Sequence, residues 1–190
     1  MTIFELITLT LSIVLGLSMS HLLWSAMALV RARRETHLHW LPLAWAAVVF
    51  LAQVQYWFAA MSVDAVIDSW TWAWYLHMLF QALLLFSSSA LVLPSESQRG
   101  SGALLDDFNE DGRLGLIPFG AYFLLWIPTN HALDGAWFHG GNVANVVIAS
   151  AAAVGFLWKG RGPQAAAVLV ALGTFVWGML FQWAELTMTP

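Results

Sequence analysis

Long apolar runs separated by short polar gaps make up almost the whole chain. Six are distinguishable, at 3–30, 41–61, 70–93, 114–133, 138–158 and 164–186, and each predicts a membrane-spanning helix. Backbone groups in hydrocarbon have no water to bond with, and the runs are too long and too little alternating for barrel strands. The prolines punctuate them. Pro42 and Pro163 fall in first turns, where a missing amide hydrogen is harmless, and Pro94 and Pro128 are read as following helix ends. The first run, about 42 Å long as a helix, exceeds a hydrocarbon core of about 30 Å and should tilt or protrude. In the fourth, Leu114 to Ile127 reaches only about 21 Å, so it is either re-entrant or completed by Thr129 to Leu133.

The basic residues decide between those two. All seven, Arg31, Arg33, Arg34, Arg99, Arg113, Lys159 and Arg161, fall in alternate gaps between the runs. Cytoplasmic loops retain Lys and Arg, and only six crossings put all seven on one side. The expected fold is therefore an all-α integral membrane protein: a single polytopic domain over 1–190, six transmembrane helices, and both termini on the non-cytoplasmic side. A long inner loop covers 95–113. The outer side then holds Glu5, Asp64, Asp68, Asp134 and Glu185 and no cation. Trp57, Trp70, Trp72, Trp137 and Trp183 lie near the outer boundary and Trp40 and Trp158 near the inner one, the interfacial levels that amphipathic rings prefer.

Composition supports this frame and removes several chemistries. The chain is 60% hydrophobic and 9% charged, against roughly 25% charged for soluble domains. No basic stretch precedes the first run and no small-residue cleavage pattern follows it, so it reads as a retained span. The absence of cysteine excludes disulfides, thiolate metal sites and c-type haem attachment. A net charge of -4 argues against a nucleic-acid partner. No retinal-type Lys lies inside a span, and no TVGYG filter, regular Arg series, GxSxG or P-loop is present. No cofactor is expected.

Polar residues inside the runs concentrate in the outer half. His77 and Gln81 share a helix face at four-residue spacing; Asn142 with Asn145, and Gln182 with Glu185, do so at three. Glu5 begins the first helix and Gln53 and Gln55 lie in the second. Ionisable groups at membrane depth are costly and usually face a protein interior or a wet cavity. His77, Gln81, Glu185, Gln182, Asn142, Asn145 and Glu5 therefore form the candidate ligand or ion site, with Glu185, Glu5, Asn142 and His131 as the expected neighbours of His77. The competing reading makes the amides interhelical glue. His131 and His139 are weak metal candidates beside His77. Asp107, Asn109, Asp111 and Gly112 match the opening of a calcium loop, whose twelfth position is Pro118 where a Glu is needed. A stripe of Glu5, Thr8, Ser12, Gly16 and Ser20 reads as a close-packing face for the small residues of the fifth helix, with His21 on the opposite side.

These features point to a channel, transporter or sensor for a small cation or solute with an outward-facing polar cavity, assembled as a homo-oligomer or with other membrane subunits. A non-catalytic accessory subunit is the alternative, and a membrane-embedded redox protein or enzyme the third. The expected location is a bacterial-type inner membrane with the basic loops cytoplasmic.

Overall fold

The structure, a computed structural model, describes residues 3–34, 37–64, 66–67, 69–94, 103–135, 137 and 140–188, with the side chains of 3, 62, 64, 134 and 181–188 outside the description. Seven helices follow one another: α1 (Ile3–Arg31), α2 (Trp40–Asp64), α3 (Trp72–Val92), α4 (Leu104–Glu110), α5 (Leu116–Asp134), α6 (Gly140–Leu157) and α7 (Arg161–Met188). A short 3-10 turn, Gly112–Gly115, leads into α5. Five of them, α1, α2, α3, α6 and α7, are long and apolar enough to cross a membrane. The chain is a small multi-pass helical membrane protein.

The long helices surround α2. Trp45 of α2 stands edge-on to Phe119 of α5, and Tyr56 meets Tyr122 and Trp126 of the same helix. Helix α1 packs on α3 and α2, α3 on α5, α5 on α6, and α6 on α7, which returns to α2. Close approach between α5 and α6 rests on small residues. A Cβ on Gly120 would lie 3.6 Å from that of Ala152, and one on Gly155 only 2.8 Å from the Trp45 ring.

Helix α1 buries a different face from the one its small residues suggested. Ile7, Leu11, Leu15, Ser18, Leu22, Ser25 and Leu29 are buried, at spacings of three and four. Glu5, Gly16 and Ser20 are exposed, and a Cβ on Gly16 would meet nothing within 4 Å. The larger apolar side chains fill the groove over α2 and α3, which gains more dispersion contact than a small-residue face offers.

Helix α5 corrects the reading of Pro128 as a residue beyond a helix end. Pro128 lies inside the helix, which runs on to Asp134 and closes on Gly135 in the left-handed conformation (φ 71°), whose amide donates to the His131 carbonyl. A proline in a helix withholds one amide hydrogen from the carbonyl four residues back. Here that carbonyl belongs to Leu124, and the helix continues past it on the strength of its packing against α3 and α6; the adjacent Thr129 hydroxyl donates to the next carbonyl, Leu125, at 2.7 Å. At nineteen residues it is about 28 Å long. It runs antiparallel to α3, with Thr129 beside His77 at one end and Gly115 against Ser88 and Val92 at the other.

The end of the bundle that carries the basic residues is closed. Where the sequence reads as a loop, α4 tucks Leu104, Leu105 and Phe108 under the bundle. His37 accepts a hydrogen bond from the Leu104 amide at 3.2 Å, and Gln164 of α7 donates to Asn109 at 2.8 Å. Arg113 donates to the Phe156 carbonyl at 2.9 Å while its guanidinium lies 5.4 Å from the Phe156 ring centre. The 3-10 turn fits only because it has glycines. A Cβ on Gly115 would stand 2.9 Å from both the Ser88 carbonyl oxygen and the Val92 nitrogen, backbone atoms that cannot move aside cheaply. Gly115→Ala should therefore lower stability by about 1–3 kcal/mol through overpacking, whereas Gly16→Ala should leave it unchanged or slightly raised. Thermal unfolding of both variants in detergent checks this, and equal losses would contradict the packing described.

Candidate functional site

At the opposite end of the bundle, the first turn of α3 and the last turns of α5 diverge. An open crevice of about 360 Å³ lies between them, lined by Thr71, Ala73, Trp74, His77, Pro128, Thr129 and Ala132. Thr71 caps α3 by accepting from the Trp74 amide, which fixes the upper wall. Trp74 stands nearly perpendicular to the His77 ring, with 6.1 Å between centroids.

The chemistry of the crevice centres on three side chains. His77 Nε2 is 2.7 Å from Thr129 Oγ1, Gln81 Nε2 is 3.3 Å from that same oxygen, and Gln81 Nε2 is 3.1 Å from His77 Nε2. His77 is half-buried and Gln81 fully buried. The pairing of His77 with Gln81 on one face of α3 thus appears in the structure. Their common partner is Thr129, which sequence reasoning used only to extend a helix. Its signal was present in the Pro-Thr pair near the end of an apolar run, since a helical Thr back-bonds to a carbonyl one turn earlier.

The remaining candidates lie elsewhere. Asn142 belongs to the turn between α5 and α6: it accepts from Asn130 at 2.8 Å and donates to the Trp137 carbonyl at 2.9 Å. Beside it the His131 ring stacks on Trp137 at 3.9 Å. Asn145 is half-buried one turn further along α6. Glu5 is exposed on the first turn of α1, next to Phe4, whose ring stacks on Trp70. Gln182 and Glu185 lie on the final turns of α7, and their side chains are outside the described residues, as is His139.

The acidic segment read as the opening of a calcium loop is largely helical. Asp107 and Asn109 are on α4, and Asp111 follows it. Asn109 is engaged by Gln164. Among the described residues no three or more His, Cys, Asp or Glu side chains gather as a metal site would require.

A second polar group, also missed from sequence, lies deep in the bundle. Ser89 of α3 accepts from Ser18 of α1 at 3.0 Å and from the Gln53 amide of α2, and all three side chains are fully buried. It ties three helices at membrane depth, the ordinary role of buried hydroxyls and amides in lipid.

The chain matches no protein-family model, no curated protein and no solved structure. The crevice is accordingly interpreted from its own residues. Asn142 and Asn145, paired by spacing, differ in surroundings, and this yields a prediction. Asn142→Ala removes two hydrogen bonds and should cost about 0.6–2 kcal/mol, while Asn145→Ala should stay within about 0.5 kcal/mol, as substitutions without such a mechanism do. Thermal unfolding of the two variants checks it; equal losses would contradict the assignment of Asn142 to the turn.

Proposed function

We propose that this protein binds a small solute or cation in the crevice between α3 and α5 and moves or senses it across the bilayer. In this reading α5 is a sixth crossing, both termini and the crevice face the non-cytoplasmic side, and the basic end faces the cytoplasm, as the positive-inside rule requires. The observation that carries it is the convergence of His77, Gln81 and Thr129 on a crevice of about 360 Å³, at the end of the bundle opposite the one that α4 closes. Polar groups at membrane depth are expensive, and a wet ligand path is the common reason for retaining them. His77 contributes an imidazole that can take up or release a proton, Thr129 orients it, and Gln81 fixes both.

A second reading is favoured by one observation on α1. His21 is exposed on the helix surface, between Leu17 and Trp24, which are 61% and 66% exposed. An imidazole turned to hydrocarbon is unfavourable, so a second copy of the chain or another membrane subunit covers that face. The mass of the protein in mild detergent tests this: a symmetric oligomer or a retained partner agrees with it, and a monomer contradicts it.

Flux of small cations and polar solutes into reconstituted vesicles tests the main reading. His77→Ala and Thr129→Val should each lower flux or binding by about tenfold or more, the equivalent of one lost hydrogen bond of roughly 1.4 kcal/mol. Unchanged behaviour in both variants would overturn the site.

A further inference from the structure

Resting on the reading of the crevice as a ligand site, we infer that its ligand is a small ammonium-type cation, which competes with a proton for Nδ1 of His77. The inference begins with counting hydrogens. The Thr129 hydroxyl has one hydrogen and donates it to the Leu125 carbonyl at 2.7 Å. Its oxygen can then only accept, so the His77 Nε2 atom 2.7 Å away must donate. With Nε2 protonated, the Gln81 amide turns its oxygen toward His77, because its nitrogen, 3.1 Å from Nε2, would set two donors face to face. A neutral imidazole protonated at Nε2 carries a lone pair at Nδ1, and no residue among those described bonds to that atom.

The surroundings of this lone pair favour a cationic hydrogen-bond donor. Trp74 supplies an aromatic wall, a surface that attracts cations. The two helix ends that frame the crevice, the start of α3 and the end of α5, carry opposite partial charges and offset one another. Among the described residues, none that lines the crevice is Lys, Arg, Asp or Glu. The described basic residues, Arg31, Arg33, Arg34, Arg113, Lys159 and Arg161, belong to the other end, while Glu5, Asp64, Asp134 and Glu185 stand on turns that end here. That imbalance draws cations toward this mouth and repels anions.

Binding and protonation then exclude each other. An ammonium N–H donates to Nδ1 only while Nδ1 is bare. A proton there replaces the acceptor with a donor and adds a like charge. The other titratable groups on elements packed against this part of α3 are Glu5 of α1, Tyr56 and Asp64 of α2, Tyr75 of α3, and Tyr122, His131 and Asp134 of α5. Tyr56 donates to the Met78 carbonyl, His131 is stacked on Trp137, and none of Glu5, Tyr56, Tyr75, Tyr122 and His131 lines the crevice; the side chains of Asp64 and Asp134 are outside the described residues.

Calorimetric titration of the full-length protein in lipid nanodiscs with methylammonium tests this, with tetramethylammonium and potassium as cations that lack N–H donors and urea as an uncharged donor. Methylammonium should bind at pH 8, and its affinity should fall about tenfold per pH unit once the pH is below the titration of His77, the slope of one competing proton. Tetramethylammonium and potassium should bind at least about tenfold more weakly, the loss of one charge-assisted hydrogen bond. His77→Gln, with folding confirmed by thermal unfolding, should weaken methylammonium binding and abolish its pH dependence. Methylammonium affinity that stays constant through the titration of His77, followed independently on the same sample, or equal binding of tetramethylammonium, would overturn the inference. Urea binding that depends on His77, without methylammonium binding, would overturn the ligand class and leave the crevice as a solute site. No binding of any probe would overturn both.

Discussion

Backbone buried in hydrocarbon has no water to fall back on, so each carbonyl or amide that a helix leaves unpaired must find a partner inside the protein. In this chain that constraint is sharpest at Pro128. The proline withdraws one hydrogen bond from α5, the one to the Leu124 carbonyl, and the helix nevertheless continues to Asp134, held by its packing on α3 and α6. The next residue, Thr129, turns its hydroxyl back to the Leu125 carbonyl. Once the Thr129 hydrogen is committed to the backbone, its oxygen becomes an acceptor, and His77 and Gln81 of α3 converge on it. A back-bonded threonine thereby becomes a polar junction between two helices. The crevice opens directly above that junction, where α3 and α5 part.

The two ends of the bundle answer the same demand in opposite ways. At the basic end, glycines let the 3-10 turn lie against the α3 backbone, and α4 fills the space below with Leu104 and Phe108. Arg113 and Gln164 bond to a neighbouring carbonyl and to Asn109, so this end is held by packing and direct contacts. At the other end the helices are capped more loosely, by Thr71 on α3 and Gly135 on α5, and the space between them is left open. One bundle thus carries a closed end and an open end.

Much of this architecture was legible in the residue pattern. Apolar run lengths located the six long helices to within a few residues, because hydrocarbon thickness dictates run length directly. The four-residue spacing of His77 and Gln81 identified the right face of α3. Partners across helices were less accessible: depth alone proposed Glu185, Glu5, Asn142 or His131 for His77, whereas its described partners are Thr129 and Gln81, because azimuth decides which helix a side chain reaches and a single sequence does not fix azimuth; the Glu185 side chain lies outside the described residues. Helix α1 shows the same limit, since its small residues and its leucines both recur at helical spacing and only packing against α2 and α3 selects the leucine face. Pro128 was misread for a local reason. Helix breaking is the usual outcome in water, and the packing on α3 and α6 that carries α5 past the proline is a tertiary feature.

The proposed function requires the crevice between α3 and α5 to be an aqueous pocket open to the non-cytoplasmic side. Because the chain contains no cysteine, single cysteines report without background. Ala132→Cys, on the crevice wall, and Ala152→Cys, fully buried between helices, can be exposed to a membrane-impermeant maleimide on intact cells and on inverted vesicles. Ala132→Cys should be labelled rapidly from the outside only and Ala152→Cys from neither side. Labelling of Ala132→Cys from the cytoplasmic side, or its complete protection from both, would contradict it.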